Sequence, residues 1–591
     1  MRSEPERVVS PPSAAAVRRQ VERVLASRIF AASGRMSRFL RFAVEEALAG
    51  RSAELKEYTL AVEVFGKPAD FDARIDPIVR VEARRLRSKL KAYYENQGRD
   101  DEVLIEFPVG GYVPRFRARS SAAPATDMES APAENIAVLP FASLSAENHT
   151  DYFSDGLAEE LIHALTKAPG LRVVAWHSSA KMRGLETDIR AVGRLLHVGS
   201  VVMGSVRRSG KRLRVAVKLV ATATGQYLWS ETYDRQLEDV WAIQEEVARA
   251  IADALQVRLA ARATPAAAAN AEAYTAYLRG RFYWNKRTPA SLQLALEQFR
   301  KAVDLDPAFA AAHAGLADAC MLLADHGFVR PESVVPRAKA AALRAVELEP
   351  NLADAYASLG LMEAVYAWRW SEAEKHFRRA IALNPGYVTA RHWYGCDYLA
   401  LLGQMDEALD MLQIAIDLDP LSHILRDSRG YVLLLARRYD ECIESCTEAA
   451  QLEPYFYKSY SNMARAHLHQ GMFAEALALF EKARQLVGDI PPLMGALGQA
   501  HGLAGNRDKA RRLLSRLTGM AKHRHVAASA FAMIHIGLGD FEKALEVLEE
   551  GVALRQPTLS ALKVHPGYDA LRGHPRFERL LERIGLRPTG Q

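Results

Sequence analysis

Residues 405–420 read MDEALDMLQIAIDLDP. Ala408 is followed four positions on by Leu412, three further by Ala415 and five further by Pro420. The same order of small, apolar and small-or-apolar residues returns at Ala295/Phe299/Ala302, Ala338/Ala342/Ala345 and Ala373/Phe377/Ala380. It continues at Cys442/Cys446/Ala449, Ala476/Phe480/Ala483, Ala510/Leu514/Leu517 and Ala544/Leu548/Gly551. Successive starts lie 43, 35, 35, 34, 34, 34 and 34 residues apart, and Pro307, Pro350, Pro385 and Pro454 stand where Pro420 stands. Steps of four and three keep each set on one face of a helix, and the proline ends that helix. Cys396, Gly430, Ala464, Gly498 and Ala532 lie twelve positions before their starts. They predict a preceding helix that comes close to its partner within each unit. The 43-residue step predicts an insertion around 325–336.

A period of 34 residues with two helices and a proline break resembles the tetratricopeptide repeat (TPR). The resemblance implies an all-α superhelix over 271–591, of about eight repeats with a C-terminal cap. It also implies a protein or peptide ligand in the concave groove, where Asn462, Arg465 and His467 are candidates by their place in a first helix. The register accounts for three cysteines. Cys442 and Cys446 could pass for a metal pair four apart on a helix, but they fill slots that hold Ala and Phe or Leu elsewhere, and Cys396 fills a Gly/Ala slot. All three read as packing residues. His467, His501 and His535 recur every 34 residues, one per unit. That is repeat register rather than a ligand set, with a polar row along a groove left open.

Working outward, two composition shifts divide the rest of the chain. SSAAPATDMESAPAE (120–134) and the stretch around ARATPAAAANAEA (261–273) are rich in Ala, Ser and Pro and lack hydrophobic periodicity. They read as linkers at 120–134 and 261–270. The block between them, 135–260, alternates types. ENIAVLPF (134–141) predicts a strand, GLAEELIHALTKA (156–168) a helix, LRVVAW (171–176) a strand and DIRAVGRLL (188–196) a helix. A hairpin turning at Ser209–Gly210, a short extension over 223–235 and a closing helix over 240–255 complete a small α/β domain. Asp151 and Asp155 read as helix caps rather than an acidic pair. Ile136–Phe141, Phe153–Gly156, Gly204–Gly210 and Gly225–Arg235 resemble the TolB-N-terminal-like domain.

The first block carries the charge. Residues 1–119 hold 23 Lys and Arg against 17 Asp and Glu, which is the whole net charge of +6, and the remaining 472 residues balance. Localised basic charge suggests a polyanion partner. Helices are predicted over 36–50 and 56–66, and from Asp76 as N-cap and Pro77 to about Glu95. The last has an apolar stripe of Val79, Ala83, Leu86, Leu90 and Tyr93 beside a cationic stripe of Arg80, Arg84, Arg87 and Lys91. VLIEF (103–107), a turn at 108–111 and YVPRFRAR (112–119) predict a hairpin ending in Arg115, Arg117 and Arg119.

A basic helix followed by a basic hairpin is the footprint of a winged helix, with the helix in the major groove and the wing on the backbone or minor groove. VRVEARRLRSKL (79–90) with VLIEFPVGGYVPRF (103–116) resembles the OmpR/PhoB-type winged helix through Val79, Val81, Leu86, Arg87, Lys89, Leu90, Gly111 and Tyr112. The resemblance places Arg84, Arg85 and Arg87 where members of that family contact DNA. Two features depart from the pattern. Glu82 stands where a histidine is common, and a helical stretch around 17–29 replaces the N-terminal sheet. About 35 residues precede the winged helix, too few for a phosphoacceptor receiver domain.

The expected fold class is therefore multidomain: an N-terminal winged helix (α+β) over 1–119, a central small α/β domain, and a C-terminal all-α TPR superhelix. The layout resembles CadC-like one-component bacterial regulators, without their membrane span. No apolar run reaches the ~18–20 residues of a membrane span, the N-terminus lacks a secretory h-region, and four cysteines exclude a disulfide scaffold. The resemblance implies a bacterial protein, these features predict a cytoplasmic one, and no cofactor, metal or catalytic residue is expected. The absence of P-loop, kinase, GxSxG and HExxH signatures predicts a chain that is not an enzyme. Expected DNA contacts are Arg80, Arg84, Arg85, Arg87, Lys91, Arg115 and Arg117. Expected partners are double-stranded DNA and a protein or peptide in the TPR groove, with homodimerisation left open and no membrane. The principal reading is a DNA-binding transcriptional regulator; the alternative is a TPR scaffold or adaptor whose N-terminal domain does not bind DNA.

Overall fold

The structure, a computed structural model, describes residues 13–586 apart from 28–29, 31–33, 53–54, 69–77, 96, 99–100, 102, 108–111, 119–134, 145–150, 169, 185–187, 210–211, 237–239, 256–269 and 326–329. The expected N-cap at Asp76, the Gly110–Gly111 turn, Arg119 and both linkers, up to residue 269, lie outside the described residues. The chain forms two compact units, Met1–Met128 and Glu129–Gln591.

The first unit holds α1 (Ala14–Ala26), α2 (Gly34–Leu48), α3 (Glu57–Glu63), α4 (Ile78–Glu95) and the strands β1 (Val103–Glu106) and β2 (Arg115–Ala118). Ser13 caps α1 through Ala16 N. Val17, Val21 and Val24 of α1, Phe39 and Leu40 of α2 and Leu60 of α3 close one core with the apolar stripe of α4.

The second unit begins with a six-stranded sheet. Its strands are β3 (Asn135–Val138), β4 (Ala142–Ser143), β5 (Arg172–Val173), β6 (Ser200–Ser209), β7 (Arg212–Ala221) and β8 (Tyr227–Gln236). The order is β5-β3-β6-β7-β8, with β4 also on β6. β3 runs parallel to β5 and β6, and β6, β7 and β8 are antiparallel. Four helices accompany it: α5 (Asp151–Leu165), α6 (Trp176–Ala180), α7 (Ile189–Leu196) and α8 (Val240–Ala254). Alternation along the strands sorts them. Ile136, Val138 and Val202 share a core with Leu161 of α5 and Val247 of α8. Ala137, Leu139 and Val201 pack with Val192 and Leu196 of α7.

Three local expectations change. The predicted strand over 171–176 pairs for only two residues, because α6 begins at Trp176. The predicted short extension is a ten-residue edge strand, β8. Asp155 does not cap: α5 starts a full turn earlier, at Asp151, and the Asp155 carboxylate is bound by Arg183.

Eight antiparallel helix pairs follow: α9 (Ala271–Asn285) with α10 (Pro289–Leu305), α11 (Ala310–Asp325) with α12 (Pro331–Leu348), and α13 (Ala353–Leu361) with α14 (Trp370–Leu383). In the fourth pair, α15 (Val388–Tyr394), a π-turn and α16 (Ala400–Leu402) form one first helix against α17 (Met405–Leu418). Then come α18 (His423–Leu435) with α19 (Tyr439–Leu452), α20 (Tyr457–His469) with α21 (Phe473–Val487), α22 (Pro491–Leu503) with α23 (Arg507–Ala521), and α24 (Ala528–Leu538) with α25 (Phe541–Ala553). The cap ends in α26 (Pro575–Arg583). The repeat slots are the core: Phe299, Phe377, Leu412, Cys446, Phe480 and Leu548 are each fully buried. Cys396 and Cys442 are buried too, and all four cysteines are free thiols.

Gly430 lets α18 close on α19 within its unit, since an added Cβ would run into Cys446 Sγ. Gly498 behaves differently. Its Cβ would meet Ile534 Cγ1, at 2.5 Å, on the first helix of the next unit. Gly495 faces Ala530 Cα in the same way, at 2.7 Å, so α22 and α24 meet nearly backbone to backbone.

The central sheet domain and the array, separable in the sequence, share one continuous core that runs from Ile136 to Val564. α6 docks on the turn before α18: Ala175 N donates to Leu418 O (2.8 Å), Ser178 N to Asp419 Oδ1 (2.9 Å) and Lys181 Nζ to Leu421 O (2.9 Å). α5 lies against α9, where Arg281 Nε donates to Glu159 Oε1 (3.1 Å) and Tyr277 OH to Glu160 (2.8 Å). The cap reaches back along the array. Trp370 Nε1 donates to Ile584 O (2.8 Å), Lys563 Nζ to Leu402 O (2.8 Å) and Gln499 Nε2 to Gly567 O (2.9 Å).

Candidate nucleic-acid interface

In the first unit, helical spacing seats α4 by its stripe: Val79, Ala83, Leu86, Leu90 and Tyr93 are all buried. Asp101 then joins three elements. Its carboxylate accepts from Tyr93 OH (2.6 Å) and from Gln20 of α1, and Arg23 stands 3.6 Å away. Burial, with the Asp101 bond second, pushes the Tyr93 phenol up, so it stays a donor. Ile105 N donates to Tyr94 OH (3.0 Å), which fixes β1 against the end of α4.

The strand register is Val103↔Ala118, Leu104↔Arg117, Ile105↔Phe116 and Glu106↔Arg115. Opposed residues share a face. Ile105 is buried with Phe116 packed beside it, so positions 115 and 117 occupy the other face of the ribbon. Arg115 is exposed.

Of the seven expected contact residues, the side chains of Arg80, Arg84, Arg85, Lys91 and Arg117 lie outside the described part of the molecule. Arg87 is half-buried, and its Nε donates to Phe107 O (3.1 Å), tying α4 to the end of β1. Lys89 stands over the Phe30 ring at 5.7 Å. Glu82, the departure from the family pattern, is buried. No fourfold spacing distinguishes a bonded arginine from a free one, so the fixed position of Arg87 has no signal in the sequence.

The groove candidates of the array are mostly structural. Asn462 is buried and donates to Asp427 Oδ1 (3.2 Å), and Arg465 donates to Ser461 Oγ (2.9 Å) and Asn462 Oδ1 (3.2 Å). Burial pushes the Asp427 carboxyl up to about 6. The Nδ1 atoms of His467, His501 and His535 are all buried without a hydrogen-bond partner, so the histidine row exists as a repeated position. No group of three or more His, Cys, Asp or Glu side chains with metal-binding geometry occurs among the described residues. No described helix is long and apolar enough to cross a membrane.

Residues 132–250 match the family model described as HilA/YgeH-like transcriptional regulator, second domain, and residues 467–528 match a tetratricopeptide repeat model. The central domain thus matches a transcriptional regulator's domain where the sequence reading expects a TolB-like one. Among curated proteins, "Putative adenylate cyclase 3" of Rhizobium meliloti (strain 1021) is 34% identical over 272 residues, covering 43% of this chain and 46% of that protein. "Transcriptional regulator HilA" of Salmonella typhimurium is 31% identical over 144 residues, covering 24% of this chain and 26% of that protein. The matched part therefore spans less than half the length of either relative. Among solved structures, Pseudomonas aeruginosa pilF is 19% identical with a TM-score of 0.29, covering 37% of this chain and 94% of that chain. A human IFIT1 dimer is 15% identical with a TM-score of 0.39, covering 54% and 77%.

The first relative corrects one expectation. The prediction that the chain is not an enzyme is overturned by a 34% match to a protein named as a cyclase. That prediction rested on missing signatures, and a missing signature does not test for chemistry. What the matches establish is a HilA/YgeH-like regulator domain joined to TPR repeats, the composition of a transcriptional regulator with a TPR module.

Proposed function

We propose that the chain regulates transcription in the cytoplasm by binding double-stranded DNA through residues 1–119 and a protein or peptide through its repeat array. In the finer reading, 36–119 is an OmpR/PhoB-type winged helix and 135–260 a TolB-N-terminal-like domain. The boundaries lie at the linkers 120–134 and 261–270. The observation that carries the DNA reading is the ribbon β1–β2, which follows a helix seated by its apolar stripe and presents an exposed Arg115. In such a module the helix enters the major groove and the ribbon lies on the backbone. Arg84 and Arg85 would read base edges, and Arg80, Lys91, Arg115 and Arg117 would meet phosphates. Arg87, bonded to Phe107 O, would position the helix.

The test is duplex binding by the full chain at several salt concentrations, wild type against Arg84→Ala and Arg115→Ala. Loss of a phosphate contact lowers the salt slope by about one, and loss of a base contact costs about 1–3 kcal/mol and relaxes one position. Unchanged affinity and slope in both variants would remove this unit from DNA and leave the scaffold reading.

A second reading is carried by the 34% match to the cyclase: the chain takes part in forming cyclic AMP. Cyclic AMP production from ATP by the purified chain tests it, and no product above background would sink it.

A further inference from the structure

The second helices of the array differ in charge. α17 and α19 each carry a net −4, α21 is neutral and α25 carries −3, whereas α23, between the last two, carries +4. Lys522 and Arg524 extend that run. α23 also borders a groove of about 620 Å³ between α21 and α23, floored by α22. Its apolar lining is Leu477, Ala478, Leu497 and Leu513, and its cations are Arg484, Lys509, Arg512 and Arg516.

Two of these cations are already engaged. Arg484 bonds Glu481 at 2.6 Å, and Arg516 pairs with Asp489. Lys509 and Arg512 are exposed, with no partner among the described residues. Lys509, Arg512 and Arg516 follow one another at steps of three and four, so they form one ridge about 10 Å long on the groove side of α23. On the floor, His501 Nδ1 is buried without a hydrogen-bond partner. The lining holds no Phe, Tyr or Trp, which a single-stranded nucleic-acid site would use for base stacking. Apolar floor and cationic rim together fit a segment that joins an apolar face to acidic side chains.

We propose that this groove docks an acidic amphipathic helix of a partner protein, with carboxylates on Lys509 and Arg512 and an apolar side chain against Leu497 and Leu513. The surface is bordered by second helices and floored by the first helix α22, one repeat on from Asn462, Arg465 and His467. It stands independently of DNA binding by the first unit.

The test uses the full chain and a fluorescent, end-blocked helical peptide of roughly 14 residues, with Glu and Leu spaced to form two faces. A second peptide has Ser at every Leu. We expect saturable binding of the first peptide. Lys509→Glu/Arg512→Glu should weaken it about tenfold or more without changing the thermal unfolding midpoint, and the Ser peptide should bind equally less well. Three results would overturn the proposal. One is no saturable binding, or equal binding by the double variant. Another is equal binding of the Ser peptide with competition by duplex DNA, which would mark a general polyanion surface. The third is self-association of the wild-type chain that the double variant abolishes, which would make the occupant a second copy.

Discussion

Replacing Gly430 with alanine should strain the fifth repeat in a way that one further substitution relieves. A Cβ at 430 would run into the Cys446 sulfur, and the backbone around it closes the other exits, with Cys442 O at 3.3 Å and Cys446 N at 3.5 Å. Cys446 is fully buried and fills the slot that holds Phe or Leu in other units, so the sulfur has little room to rotate away. Overpacking of this kind costs about 1–3 kcal/mol. Alanine also returns about 1 kcal/mol of helix propensity relative to glycine. The net expected loss for Gly430→Ala is therefore about 0–2 kcal/mol, and Gly430→Leu, which adds more volume without more propensity, should sit at or above the top of that range. Cys446→Ala removes the atom that would be struck. The double variant Gly430→Ala/Cys446→Ala should then be more stable than the two single losses predict, by a coupling of about 1 kcal/mol or more. Thermal and urea unfolding of the four proteins give the cycle. Additive losses would refute the claim that this glycine exists to admit this sulfur, and with it the register of that unit.

Two other outcomes follow from the joint between sheet domain and array, and a third from the cap. Arg281→Ala would leave Glu159, almost wholly buried, without its cation, and urea unfolding should report a loss of about 3–5 kcal/mol, whereas a loss under 1 kcal/mol would mean that the pair is replaceable by water. Acid should open the contact between α6 and α18. Burial holds His177 down to about 3 and His423 to about 4, while burial pushes Asp419 up to about 6. Between pH 6 and 4 the open form holds about two protons on its histidines, whereas the docked form holds about one, on Asp419. Docking should weaken by about 1.4 kcal/mol per pH unit as pH falls through that window. Hydrogen exchange at Ser178 N, which donates to Asp419, reads this directly, and protection that rises with acid would reverse the sign. Trp370→Phe removes the bond to Ile584 O and should raise exchange in α26 while leaving α19 and α20 unchanged.

Much of the array was legible because a repeat states its packing many times. One Ala–Leu–Ala triplet means little, but eight in register identify the buried face, and the slots at Ala295, Ala373, Ala408 and Ala476 are all fully buried. The stripe of α4 was legible for the same reason: steps of four and three place Val79, Ala83, Leu86 and Leu90 on one side. The candidate DNA site was legible only as far as which positions share a face. The bond of Arg87 depends on the end of β1, twenty residues on, and so could not be read from the spacing of the stripe. The basic character of α23 was present in the sequence but hidden by averaging, since the acidic second helices around it cancel its charge.

By itself the sequence determined the local and periodic features of this protein. These are the helix pairs, their buried slots, the alternating strands of the central domain and the basic N-terminal block, all fixed by spacing within a few turns or strands. Tertiary structure alone decided how distant segments meet. α6 sits on the Leu418–Leu421 turn some 240 residues away, the cap returns to Trp370 and Leu402, and Gly498 faces Ile534 of the next unit rather than its own partner helix. Such contacts join backbone carbonyls, single hydroxyls and small residues whose local pattern is the same whether they face solvent, a neighbouring helix or another domain.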